Sequence, residues 1–156
     1  MISEPDFDLE REVSLFLAAC RTASLATSAA DGTPHAANIQ YASDGGFRLL
    51  WVSSPNTEHS QHTAQNPRAA ITVYAHDDRP QSIHGVQMRG TVQPIENPTE
   101  WNNAWEAYTA KFPFVAIDPG FKVMIEKQSF YRFTPTWLRW IDNRRSFGWK
   151  VERDLN

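Results

Sequence analysis

Apolar and polar positions recur along this chain with two different periods, and each change of period marks an element. Over residues 8–22, Leu9, Val13, Phe16, Leu17 and Cys20 fall at spacings of three and four, with Glu10, Arg11 and Glu12 on the opposite face. That period predicts an amphipathic helix, and Pro5 and Asp8 suit its start. The period then shortens. Residues 24–28, 35–41 and 47–52 read as strands, separated by the turn signals Asp31-Gly32 and Asp44-Gly45-Gly46. Thr57 can cap a helix running to about residue 65, which Asn66-Pro67 ends because proline disfavours helical geometry in the residue before it. Residues 69–74 form a buried-type strand pattern, 75–80 a loop, and 82–94 a long strand. Within it, Gly85 and Gly90 mark bulges or close backbone approaches.

A further helix is announced by Asn97 as N-cap, Pro98 at the first helical position and Glu100 at the capping-box position. Trp101, Ala104, Trp105, Tyr108 and Phe112 make its apolar face, and Pro113 breaks it. Residues 130–133, 136–141 and 147–152 read as strands, with a turn at 142–145. The expected fold is mainly β with α additions: about seven or eight strands, largely antiparallel because tight turns join them, and about three helices. A barrel or sandwich fits this order better than a layered α/β fold. No repeat or linker divides residues 1–156, so a single domain is expected.

Composition narrows the function classes. The fractions of 41% hydrophobic and 21% charged residues are those of an ordinary globular chain. A formal net charge of −3 offers nothing to nucleic acid or an anionic membrane. No apolar run approaches the roughly 20 residues that span a bilayer, and the acidic start MISEPDFDLERE does not read as a secretory signal. With the single cysteine, Cys20, these features lead us to expect a cytoplasmic protein.

Candidate chemistry is sparse. The chain has no nucleophile elbow, phosphate-binding P-loop, HExxH or paired-cysteine motif. Of the five histidines, His35, His59, His62, His76 and His84, only His59 and His62 share a helix face, and no third ligand stands at a metal-site spacing. A polar helix face is the plainer reading, and no metal is expected. Cys20 reads as packing on the helix stripe. What remains is the hydroxyl-rich segment Ser53-Ser54-Pro55-Asn56-Thr57 before a helix start. Such a place can hold a phosphate, because unpaired N–H groups point outward and the helix dipole favours negative charge. Hydroxyls also cap helices with no ligand nearby, and the residues by themselves favour that reading.

The order of small motifs adds a second line. Leu25-Ala26-Thr27, Gly32-x-Pro34, Trp51-Val52-Ser53, Thr57-Glu58-His59-Ser60, Asn66-Pro67, Gly85-Val86-Gln87 and Gly90 follow one another through residues 25–90. This series resembles the flavin-binding core of the pyridoxamine-5′-phosphate-oxidase-like split β-barrel family, in the form of an uncharacterised bacterial subgroup rather than the vitamin B6 oxidases. The resemblance implies a split β-barrel homodimer that binds flavin mononucleotide (FMN) at the dimer interface and acts as an oxidoreductase on a small molecule, the redox chemistry belonging to the flavin. It implies that Ser53, Thr57, His59 and Ser60 face the phosphate. Trp51 and Val52, with the second strand near Asn38, would line the ring and ribityl chain. Gln87 would lie near the ring, and Arg139 and Trp140 would complete the pocket and meet substrate. A non-catalytic flavin or haem binder on the same fold is the alternative, with His59, His84 or His35 as axial ligand.

The chain departs from the vitamin B6 oxidases at identifiable positions. Glu58 and His59 stand where those enzymes carry Arg and Lys, Ala37 and Ala42 where they carry basic residues, and Ile141 where they place a substrate-contacting histidine. These departures argue against pyridoxamine phosphate as substrate.

Overall fold

The computed structural model describes residues 7–156; Pro5 lies outside the described residues. The first helix, α1 (Leu9–Ala19), begins at Asp8, whose side chain accepts the Arg11 N–H. It buries Leu9, Val13 and Leu17, while Phe16 and Cys20 pack partly buried against the same core. The strands that follow are β1 (Thr22–Ser28), β2 (Pro34–Gln40), β3 (Ala42–Ser43) and β4 (Leu49–Ser53). Helix α2 (Glu58–Gln65) leads to β5 (Arg68–Tyr74) and β6 (His84–Pro94). Three helices, α3 (Pro98–Lys111), α4 (Phe114–Ile117) and α5 (Pro119–Glu126), precede β7 (Ser129–Asp142) and β8 (Lys150–Asp154).

One sheet runs in the order β2-β1-β5-β6-β7-β4-β3, with β8 beside β7, and every pairing is antiparallel. Strand β7 divides its free edge between two partners. Ser129 to Phe133 pair with β4, and Trp137 to Ile141 pair with β8. The sheet forms a half-barrel of the expected split type. Its concave face carries Leu25, Ile71, Val86, Met88, Leu138 and Trp140, and α1 plugs it with Leu9, Val13 and Leu17. A second core lies on the other face of β4, where Leu50 and Phe130 pack with Ala104, Tyr108 and Phe112. The period-two alternation of β4 feeds both cores, Leu49 and Trp51 one way and Leu50 the other. Each such fully buried apolar side chain contributes about 1.5–3 kcal/mol.

Three expectations change. The strand expected over 47–52 starts late, because Gly45, Gly46 and Phe47 all adopt positive φ and prolong the turn. The two strands expected over 130–133 and 136–141 are one. Pro135, which has no N–H to give, lies opposite Gly90 where the register of β6 and β7 shifts, so the bulge absorbs it. A Cβ at Gly90 would meet the Thr134 carbonyl and come within 2.8 Å of Pro135 Cα, and one at Gly85 would meet the Val73 carbonyl. Both glycines are close-approach points, as their positions in the strand pattern suggested. Helices α4 and α5 were not expected. Both are short; α5 is started by local devices, with Asp118 accepting the Gly120 N–H and Pro119 at its first position, whereas α4 follows Pro113 with no side-chain cap.

Candidate functional site at the start of the second helix

Ser53 ends β4, and the chain then turns through Ser54 to Thr57. The Asn56 N–H donates to Ser54 Oγ at 3.1 Å, and the Thr57 N–H to the Ser54 carbonyl at 3.2 Å. Thr57 is the N-cap. Its Oγ1 accepts the Ser60 N–H at 3.3 Å and lies 2.7 Å from Ser60 Oγ and 3.0 Å from the Ser54 carbonyl. Ser60 is buried, so its hydroxyl serves the cap. The Glu58 and His59 amides occupy the first two helical positions, where no intrahelical acceptor exists.

The ring of His59 turns back over this loop, with Nε2 2.8 Å from Ser53 Oγ. Burial, helped by the charges of His35 and His62, holds the His59 pKa below the usual imidazole value. Glu58, the first residue of α2, faces histidines. Its Oε2 is 3.2 Å from His35 Nδ1, and its Oε1 is 3.7 Å from His62 Nε2. The other His62 nitrogen lies 3.0 Å from Thr27 Oγ1. Strand β2 and helix α2 thus bring two imidazoles to one carboxylate, with the His59 ring 6.4 Å from that of His35. Among the described residues, no group of His, Cys, Asp or Glu is arranged to hold a metal ion.

The remaining candidates fall in three places. Val52 and Ser53 line a groove of about 310 Å³ between the β2–β4 corner and α4–α5. Asn38, Gln87 and Arg139 belong to a transverse polar row on the convex face. The register runs Asn38, Ser24, Thr72, Gln87, Arg139, Glu152 across six strands. Within it Ser24 Oγ and Asn38 Oδ1 are 3.2 Å apart, and Arg139 donates to Gln87 Oε1 at 3.2 Å and to Glu152 Oε1 at 2.7 Å. Trp51 and Trp140 lie in the core, each 1% exposed. Consecutive strand residues point to opposite faces, so Trp140 and Arg139 do not share a surface. Trp140 packs edge-on against Phe16 and His84, and Trp51 stacks on Tyr131. Of the positions that depart from the vitamin B6 oxidases, Ala42 is buried in the second core.

Two features escaped the sequence reading. The pairing of Glu58 with His35 left no local signal, since His35 is on strand β2, whereas its pairing with His62 follows the four-residue helix spacing. The groove wall formed by Phe114, Phe121, Met124 and Gln128 had one signal, the cluster of apolar residues after Pro113 in a segment read without an element.

A mainly antiparallel half-barrel, plugged by one helix and carrying a hydroxyl-lined helix start at its β4 corner, defines a split β-barrel class. The chain belongs to the pyridoxamine 5′-phosphate oxidase family, whose profile matches residues 9–141. A UPF0306 protein of Haemophilus ducreyi is 32% identical over 83 residues, a match covering 52% of this chain and 57% of that relative. A conserved hypothetical protein of Mycobacterium tuberculosis has the same fold, with a TM-score of 0.76 at 21% identity over 89% of this chain and 88% of that one. So does a haem-binding protein of Mycobacterium smegmatis, with a TM-score of 0.78 at 21% identity over 95% of this chain and 58% of that one. None of the described helices is long and apolar enough to cross a membrane.

Proposed function

We propose that the chain binds FMN as a cytoplasmic homodimer and acts as an oxidoreductase on a small molecule. The observation that carries this reading is the Ser53–Thr57 loop. It offers the Ser53 hydroxyl, the first amides of α2 and the His59 imidazole at one helix start. A phosphate monoester fits this set by hydrogen bonds and helix dipole more than by charge. Glu58 does not oppose it, because its carboxylate is directed to His35 and His62. Thr57 and Ser60 hold the loop shape, and Ser53 and His59 contact the phosphate. Val52 and the outward β2 residues Asn38 and Gln40 lie where the ring would follow. Gln87 and Arg139, on the convex row, are offered to a flavin ring held against a second copy. Bound flavin would supply hydride or electron transfer, and the chain's own residues anchor, orient and shield it.

Titration with FMN and with the dinucleotide, together with light scattering, tests the reading. Tighter binding of FMN by a dimer is the expected result. Tighter dinucleotide binding, binding of neither flavin, or full FMN affinity in a monomer would overturn it.

A second reading is haem binding without catalysis, and one observation favours it. His84 Nδ1 is 2.8 Å from the Ser82 carbonyl, which leaves Nε2 as the free ligand atom of a partly buried ring. His35 and His59 would first have to break their contacts with Glu58 and Ser53. The absorption spectrum of the purified protein separates the two readings, since flavin and haem absorb differently.

A further inference from the structure

The groove beside the phosphate loop has a chemistry of its own. Among the described residues, its lining contains no Asp, Glu, Lys, Arg or His. One wall is apolar and only half covered by protein: Phe114 is 48% exposed, Phe121 39% and Met124 51%. The opposite wall is the Val52–Ser54 corner of the proposed cofactor site. At the groove lies Gln128, whose Oε1 is buried and has no hydrogen-bond partner. A buried acceptor left without a donor is costly, and apolar side chains lining an open cleft gain by being covered.

We infer that this groove takes the substrate, and that the substrate is an uncharged, planar, apolar molecule whose N–H or O–H donates to Gln128 Oε1. The inference rests on the FMN reading for the word substrate, because that reading puts a redox cofactor next to the groove. The chemical class rests on the groove alone. A charged ligand would give up its hydration and find no counter-ion there. A neutral aromatic ring would cover Phe114, Phe121 and Met124 and satisfy the one orphan acceptor.

Calorimetry of the purified protein with three probes of one shape tests this. 2-Naphthol carries an O–H donor, 2-methoxynaphthalene lacks it, and 2-naphthoate is an anion at pH 7. The expected result is one site for 2-naphthol, roughly five- to a hundredfold weaker binding of the methyl ether, and weaker binding still of the naphthoate. Gln128→Leu should abolish the preference for the alcohol over the ether. Met124→Glu should weaken both, with circular dichroism reporting that each variant is folded. No 2-naphthol site, naphthoate as tight as naphthol, or an unchanged preference in Gln128→Leu would overturn the inference. The titration is repeated with saturating FMN. If FMN displaces 2-naphthol, the groove is not a site beside the cofactor and the inference falls. If the probes discriminate as expected while no flavin binds, the groove chemistry stands and the FMN reading fails.

Discussion

The Ser53 hydroxyl and His59 Nε2 lie 2.8 Å apart, which closes the β4–α2 loop with the two side chains proposed to contact a phosphate. They satisfy each other, and a phosphate oxygen would take the place of one partner for each. The loop is thus held in shape before a ligand arrives, and the first amides of α2 stay directed outward.

The cap should carry both stability and affinity. Thr57→Ala is expected to cost about 0.5–2 kcal/mol in urea unfolding and to weaken FMN binding, because the Ser60 N–H loses its acceptor. Thr57→Glu should hurt FMN binding more, since its carboxylate competes for the same N–H groups. Cys20→Ser, in the packing of α1, should leave FMN affinity nearly unchanged. Affinity that survives Thr57→Glu and falls with Cys20→Ser would contradict the assignment of the site.

His59 gives the unliganded protein a pH dependence whose sign follows from its environment. Its folded pKa is lowered, first by burial and then by His35 and His62. The unfolded chain therefore binds the proton more readily. Stability from this group is present above the unfolded imidazole value of 6.5 and is lost as pH falls through it. Melting temperatures between pH 7.5 and 5.5 should fall less in His59→Gln than in the parent. A bound phosphate favours the imidazolium, so inorganic phosphate should flatten the parent's slope as well. Equal slopes with and without phosphate would separate His59 from the anion site.

Gly90 allows the backbones of β6 and β7 to approach closely at the bulge. Gly90→Ala places a methyl group against the Thr134 carbonyl and Pro135 Cα, and backbone cannot retreat as a side chain can. The expected loss is about 1–3 kcal/mol or more in denaturant unfolding. Gly32→Ala meets no atom within 4 Å and is limited by its φ of +87° alone, so it should cost less. An innocuous Gly90→Ala would show that the bulge relaxes.

Lys111 joins α3 to the end of α1 by donating to the Leu17 carbonyl at 3.1 Å and to the Cys20 carbonyl, with Nζ 4.1 Å from the Tyr41 ring centre. Burial brings its pKa down from 10.5 to about 8. The unfolded chain keeps the proton longer, so this group makes stability rise with pH between about 8 and 10.5. Tyr41 acts oppositely above pH 10, because burial raises its pKa and the folded state resists ionisation. Stability measured from pH 8 to 9.5 should therefore climb in the parent and stay flat in Lys111→Met. A climb retained in Lys111→Met would assign it to other groups.

Local rules reached far into this fold. The Asp8, Thr57 and Asn97 caps, the ends set by Pro67 and Pro113, and the close-approach glycines Gly85 and Gly90 all act over a few residues, so a linear reading finds them. Period two and period 3.6 likewise separated strands from the long helices. Where two local signals competed, the reading split or merged elements: Phe47 entered the turn by adopting φ 61°, and Pro135 was taken into β7 by a bulge in that strand.

The site was legible only as a segment. The sequence by itself determined that hydroxyls and an imidazole crowd one helix start. Tertiary structure decided which way each side chain faces. It sent Trp51 and Trp140 into the core and Arg139 to the convex face, because neighbours on a strand point apart and only sheet curvature says which side is inside. It also turned Glu58 toward His35 and His62 and brought Gln128 to the groove beside Ser53. Apart from the Glu58–His62 pair, four residues apart on α2, those contacts join residues distant along the chain, and their free energy depends on geometry that no local pattern encodes.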